Sequence, residues 1–182
     1  MRVTRGIAGA DAWQTYARRK EPPLTVEDPP LDAIGRPARP SVVLADDDPF
    51  VISSLSFQLR RRFECTGAAA NAGQAIDMVK ALQPDVVILD VNMPGGGARH
   101  ATGEIRRCAA GTAIVILSGD ETREDVIELL SLGAMAYLRK GIDPAALAGT
   151  LLFAIDSHRR GPFASARVLP DGVAAAILNE AV

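Results

Sequence analysis

Five short runs set the pattern of this chain: "SVVLA", "CTGAAA", "VVILD", "AIVIL" and "MAYLR", each of strand length and each followed by a segment with helical apolar spacing. Val51, Ile52, Leu55 and Leu59 share one helical face, behind Asp48 and Pro49, which read as a helix start. Ala72, Ile76, Val79 and Leu82 make a second face, and Pro84 blocks its continuation. A third helix over much of "RHATGEIRRCAA" turns Ile105 and Cys108 inward. Thr122 and Asp125 stand at capping-box spacing before a fourth, which Val126, Leu129 and Leu130 carry to Gly133. Asp143 followed by Pro144 opens the fifth, with Leu147, Leu151 and Ile155 as its buried stripe. Strands alternating with helices imply a parallel sheet covered on both faces, because right-handed crossovers place helices on each side. The expected fold is a doubly wound α/β domain over residues 41–158.

The rest of the chain adds little to that domain. With 182 residues and 48% hydrophobic content, there is material for one well-buried core and some appended segments. Residues 1–40, with "EPPLTVEDPP" and "GRPARP", read as a linker or poorly ordered arm, with at most a short helix over "DAWQTYARRK". Residues 159–182 read as a linker ending in a short helix over "PDGVAAAILNEAV". A net charge of -2 and a pI near 5.7 give no general attraction to nucleic acids or anionic membranes, so neither is expected as a partner of this chain. Cys65 and Cys108 lack metal-ligand spacing and read as small buried or half-buried residues in a reducing compartment. No apolar leader or bilayer-length run is present, and a cytoplasmic protein is expected.

Parallel strands all point one way, so the residues just past their C-terminal ends collect on one edge. The first strand brings Asp46 and Asp47 there, the third Asp90, the fourth Ser118 and the fifth Lys140. Three carboxylates close together repel, and a hard divalent cation relieves them; Mg²⁺ suits an all-oxygen site of this kind. A carboxylate beside a cation and an amine is arranged to receive a phosphoryl group. Asp90, alone at a central strand end, is the best nucleophile, with Ser118 placed to donate to a phosphoryl oxygen. His100 and His158 lie apart from this cluster and read as surface residues.

The chain from about Ser41 to Ser157 resembles the receiver domain of two-component response regulators, through "ADDDP", "ILDVNMPGGG", the "LSG" after strand four and "GAMAYLRKG". It is most like the receivers of LuxR/NarL-type regulators. The resemblance implies a flavodoxin-like strand order 2-1-3-4-5 and phosphorylation of Asp90 by a histidine kinase or phosphotransfer protein. It also implies Asp47 as a direct Mg²⁺ ligand, Asp46 acting mainly through water, and Asn92 ligating through its carbonyl. Ser118 and Tyr137 would form the switch, changing the surface of helix four, strand five and helix five. A homodimer is compatible with that picture. The segment after residue 160 is similar to the linker before a DNA-binding output, but no such output is expected within this chain.

Two rivals remain open at this stage. An aspartyl-nucleophile phosphatase would carry a second aspartate two residues after the first, where this chain has Asn92. A phosphorylation-independent interaction or dimerisation module would keep the fold and discard the chemistry.

Overall fold

The computed structural model describes residues 38–119 and 122–161. The expectations for the N-terminal arm and for a helix over 170–182 lie outside the described residues. The elements run β1 (Ser41–Ala45), α1 (Pro49–Leu59), β2 (Glu64–Ala69), α2 (Ala72–Leu82), β3 (Val86–Asp90), α3 (Gly97–Cys108), β4 (Ala113–Ser118), α4 (Arg123–Ser131), β5 (Ala136–Arg139) and α5 (Pro144–Arg160). All neighbouring strands pair in parallel, in the order β2-β1-β3-β4-β5. The expected fold class and strand order are those observed.

The unbroken apolar runs have a simple cause. Successive side chains in a strand point to opposite faces, and both faces here are covered. Val43, Ala45, Val87, Leu89, Ile114 and Ile116 pack with α2, α3 and α4, while Val42, Leu44, Val86, Ile88, Val115 and Leu117 pack with α1 and α5. β3 and β4 are buried along their whole length, whereas edge strand β2 alternates between exposed and half-buried. Thr66 is skipped in the β1–β2 register, a bulge between Val42 and Val43.

Local signals place the helix starts as the sequence suggests. Asp48 accepts from the Phe50 N–H ahead of Pro49, Thr122 and Asp125 form the complete capping box, and Asp143 accepts from the N–H groups of Ala145 and Ala146. Two inward assignments are corrected. Cys108 is exposed, and α3 buries Ala98, Ala101, Thr102 and Ile105, with Ala109 taking the last inward place. Leu82 is likewise exposed, while Ala72, Ala75 and Val79 form the stripe of α2. In both helices the residue three after the last inward one falls on the flank of the stripe, because three residues turn the helix by only about 300°. Leu82 instead leans on Gly67, where a Cβ would lie 3.3 Å from Leu82 Cδ1.

α5 extends to Arg160, two residues past the expected limit of the domain, so Arg159 and Arg160 belong to the helix rather than to the linker expected from residue 159. Arg159 reaches back to Asp85, which also accepts from the N–H and hydroxyl of Ser41 at 2.7 and 2.9 Å. His158 is half-buried, with Nε2 at 2.7 Å from the Ala110 carbonyl oxygen.

Candidate functional site

At the opposite edge, the strand ends bring the expected residues together. Asp46 and Asp90 are buried at 3% and 5% exposure, and Asp47 beside them is exposed. Carboxylate oxygens of Asp46, Asp47 and Asp90 all lie within 4.8 Å of one another. Lys140 Nζ stands 2.7 Å from Asp46 Oδ2 and 2.8 Å from Asp90 Oδ1. Burial alone pulls the Lys140 pKa down, but its contacts with the two aspartates outweigh that, and the ammonium is held above the ordinary lysine value.

Each buried carboxylate is oriented by the same device. Asp46 Oδ1 accepts from the Asp48 N–H at 2.9 Å, and Asp90 Oδ2 accepts from the Asn92 N–H at 2.9 Å. Both are side chains bonded to the backbone two residues on, which fixes one oxygen and turns the other toward Lys140. Asp46 Oδ2 meets only the Lys140 ammonium, a cation it shares with Asp90, and has no other donor among the described residues. Buried polar atoms are seldom left so, and the exceptions tend to mark ligand sites.

Ser118 is fully buried at the end of β4, and its carbonyl oxygen accepts from the Lys140 N–H at 2.7 Å. That bond ties the lysine loop to the strand carrying the hydroxyl. Tyr137 pairs in register with Ile116, two residues before Ser118, and is buried on the face that α4 covers. Asn92 is exposed and contributes its N–H to Asp90. The loop it begins is kept tight by Gly97, at φ +62°, where a Cβ would meet the Val91 carbonyl oxygen at 2.3 Å.

Two features escape sequence reasoning. The orienting N–H groups of Asp48 and Asn92 belong to the backbone, and no residue type marks them. Arg99 on α3 pairs with Asp125 and, at 2.9 Å, with Glu128, joining α3 to α4 beside a cleft of about 520 Å³ lined by Asn92, Pro94, Gly95, Gly96 and Asp125. The charge types signal such a pair, but its partners become visible only once two helices are packed.

Known proteins give this arrangement a context. A family model described as the response regulator receiver domain matches residues 42–151. The nitrate/nitrite response regulator protein NarL of Escherichia coli is 31% identical over 106 residues, covering 57% of this chain and 49% of that protein. The chemotaxis protein CheY of Halobacterium salinarum is 32% identical over 99 residues, covering 54% of this chain and 82% of that protein. The chain thus spans about half the length of NarL. Among solved structures, a two-component response regulator of the LuxR family from Aurantimonas is 26% identical with a TM-score of 0.62, covering 65% of this chain and 86% of that one. The signal receiver domain of a NarL regulator from Mycobacterium tuberculosis has the same fold, with a TM-score of 0.64 over 66% of this chain and 99% of that one. No helix among the described residues is long and apolar enough to cross a membrane. With its five-stranded order, its clustered aspartates and its lysine at the same strand edge, this chain belongs to the response regulator receiver domain family.

Proposed function

We propose that this chain is a phosphorylation switch whose acceptor is Asp90. An oxygen of its carboxylate attacks the phosphorus of a phosphohistidine, on a sensor kinase or a phosphotransfer protein. The P–N bond breaks, the imidazole leaves with the electron pair, and an acyl phosphate remains on Asp90. One observation carries this reading: Lys140 Nζ sits within 2.8 Å of both Asp46 and Asp90, so one ammonium faces the acceptor and its acidic neighbour together. Lys140 would then follow the charge that develops on the phosphoryl oxygens.

The donor set also fits a hard cation, since three carboxylates converge and the buried Asp46 and Asp90 have one ammonium, that of Lys140, between them. Asp46, Asp47 and Asp90, with the Asn92 carbonyl, would hold Mg²⁺. When bound it supplies positive charge that offsets repulsion between carboxylate and phosphoryl group. Ser118 would donate its hydroxyl to a phosphoryl oxygen, and Tyr137, on the same sheet face, would repack with it. That change would alter the surface of α4, β5 and α5 and so bias an output, a partner or a second copy.

A protein phosphodonor has a place to approach. A mainly apolar cleft of about 290 Å³, lined by Phe50, Val51, Leu55, Leu117, Ile142 and Lys140, opens beside the acidic cluster, and Phe50 at its rim is 83% exposed. Acetyl phosphate with Mg²⁺, followed by intact-mass measurement, tests the acceptor. Wild type should gain one phosphoryl adduct and Asp90→Ala none. An adduct that persists in Asp90→Ala would move the acceptor elsewhere, and no adduct on wild type would favour a module that works without phosphorylation.

A further inference from the structure

The corner where α1 ends and β2 begins gathers four exposed arginines, Arg39, Arg60, Arg61 and Arg62. Three are consecutive in sequence, and the fold supplies the fourth. Arg39 Nη1 donates to the Arg60 carbonyl oxygen at 2.5 Å, which brings the guanidinium preceding β1 onto the end of α1. Among the described residues none of these four forms an ion pair, whereas Arg99, Arg107, Arg159 and Arg160 each meet a carboxylate. A helix C-terminus favours a cation, but that accounts for one or two charges and not for four, and the neighbouring exposed acid, Glu64 at the start of β2, forms no ion pair with them among the described residues.

An aromatic ring completes the corner. Phe57, two residues before the end of α1, is 64% exposed, and Arg60 Cζ lies 3.9 Å from its ring centroid. A guanidinium therefore stacks over the ring while much of it still meets solvent. Planar guanidinium forks match phosphate oxygens, and a half-exposed ring beside them offers a base something to stack on. An acidic peptide would use the arginines and leave the ring idle. An anionic bilayer would want a broad apolar face, yet the other exposed ring of α1, Phe50, lies about two turns away on the same side with exposed Ser53 and Ser54 between them.

We propose that this corner binds single-stranded nucleic acid, with Arg39, Arg60, Arg61 and Arg62 on phosphates and Phe57 stacked on a base. It lies at the sheet edge away from Asp90, so both sites can be occupied together, and phosphoryl labelling of Asp90 is read independently of it.

Anisotropy of a fluorescein-labelled oligothymidylate, titrated with the full chain over a range of salt concentrations, provides the test. Polyglutamate and phosphatidylglycerol vesicles serve as the competing arms. Wild type should bind the oligonucleotide, with affinity falling as salt rises. Arg61→Glu with Arg62→Glu should weaken binding at least tenfold and flatten the salt slope by roughly 1.4, the share of two single-strand phosphate contacts. Phe57→Ala should weaken binding several-fold and leave the slope unchanged. Thermal melts show whether the variants stay folded, and Arg61→Ala with Arg62→Ala replaces the charge reversal if that one does not. The proposal is overturned by no binding, by equal binding in the arginine variants, by Phe57→Ala without effect, or by tighter binding of polyglutamate or vesicles.

Discussion

Two aspartates bracket β3, and their surroundings differ. Asp85, just before the strand, accepts from the Ser41 N–H and hydroxyl on one oxygen and meets Arg159 with the other. Asp90, the last residue of the strand, accepts one backbone N–H on Oδ2 and shares Lys140 with Asp46 on Oδ1. Asp85 thus has its lone pairs committed to three donors from two elements of the fold, β1 and α5, which is how a polar group fastens structure. Asp90 is more deeply buried yet has fewer donors of its own, and its cation is divided between two acids. A carboxylate kept in that condition is costly for stability and available for chemistry.

Exchanging the two roles is the strongest way to break this contrast. Asp90→Asn should abolish the acetyl phosphate adduct altogether while leaving thermal stability equal to or above wild type, since one of three clustered negative charges disappears. Intact mass and a thermal melt read the two halves separately, and an Asp90→Asn protein that failed to fold would refute the division. Lys140→Met keeps the aliphatic stem and removes the shared cation. Adduct formation should slow by roughly a hundredfold, the range expected for losing a charge that follows developing phosphoryl oxygens. Its stability cost should be substantial, about 3 kcal/mol, because it leaves the buried Asp46 and Asp90 without their shared cation. The pH dependence has a definite sign. A folded lysine pKa above its ordinary 10.5 contributes stability that is complete below that value and is lost as pH climbs through the raised one. Wild type should therefore lose its advantage over Lys140→Met in the alkaline range, measured by urea melts at stepped pH.

Asp85→Ala tests the other end of the strand. Removing it strands the Ser41 N–H and hydroxyl and releases Arg159, at a cost of about 2 kcal/mol. Labelling of Asp90 should persist at temperatures where the variant is folded. Loss of labelling in a folded Asp85→Ala protein would mean that the two ends of β3 are coupled.

The sequence foretold these two ends unequally. The acidic edge was legible because parallel strands of known direction deliver their next residues to one place, so Asp46, Asp90, Ser118 and Lys140 could be collected without any knowledge of packing. Asp85 was not, because its partners Ser41 and Arg159 stand 44 and 74 residues away and nothing in "QPDVV" points to either. A separation of 21 residues likewise hid Arg39 from Arg60. Helix starts were legible through Asp48, Thr122 and Asp143, whose bonds close within three residues. The faces of helix ends were not, since Cys108 and Leu82 sit on the flank of a stripe where neighbouring elements decide burial. Local chemistry was readable, and so was the convergence that topology forces; long-range fastening was not.

Asp125 separates two explanations of why a well-supplied aspartate fastens structure, the number of its donors and how far apart along the chain they lie. Like Asp85 it is well supplied, accepting from the Thr122 hydroxyl at 2.7 Å and the Thr122 N–H at 3.2 Å and pairing with Arg99, and its side chain is about as exposed as that of Asp85, but its hydrogen bonds to Thr122 close within one helix start. Its carboxyl is held below its ordinary value of 3.8, first by the Thr122 hydroxyl. A depressed aspartate contributes stability that is present above 3.8 and is lost as pH falls through the lowered folded value. Thr122→Ala should raise the Asp125 midpoint toward 3.8 in an NMR titration and destabilise the chain by about 1 kcal/mol, the usual cost of a lost helix cap. If donors alone decided, this variant would cost as much as Asp85→Ala. A clearly smaller loss assigns the difference to span, since Asp85 fastens β1 to α5 across the fold whereas Thr122 and Asp125 close only one helix start.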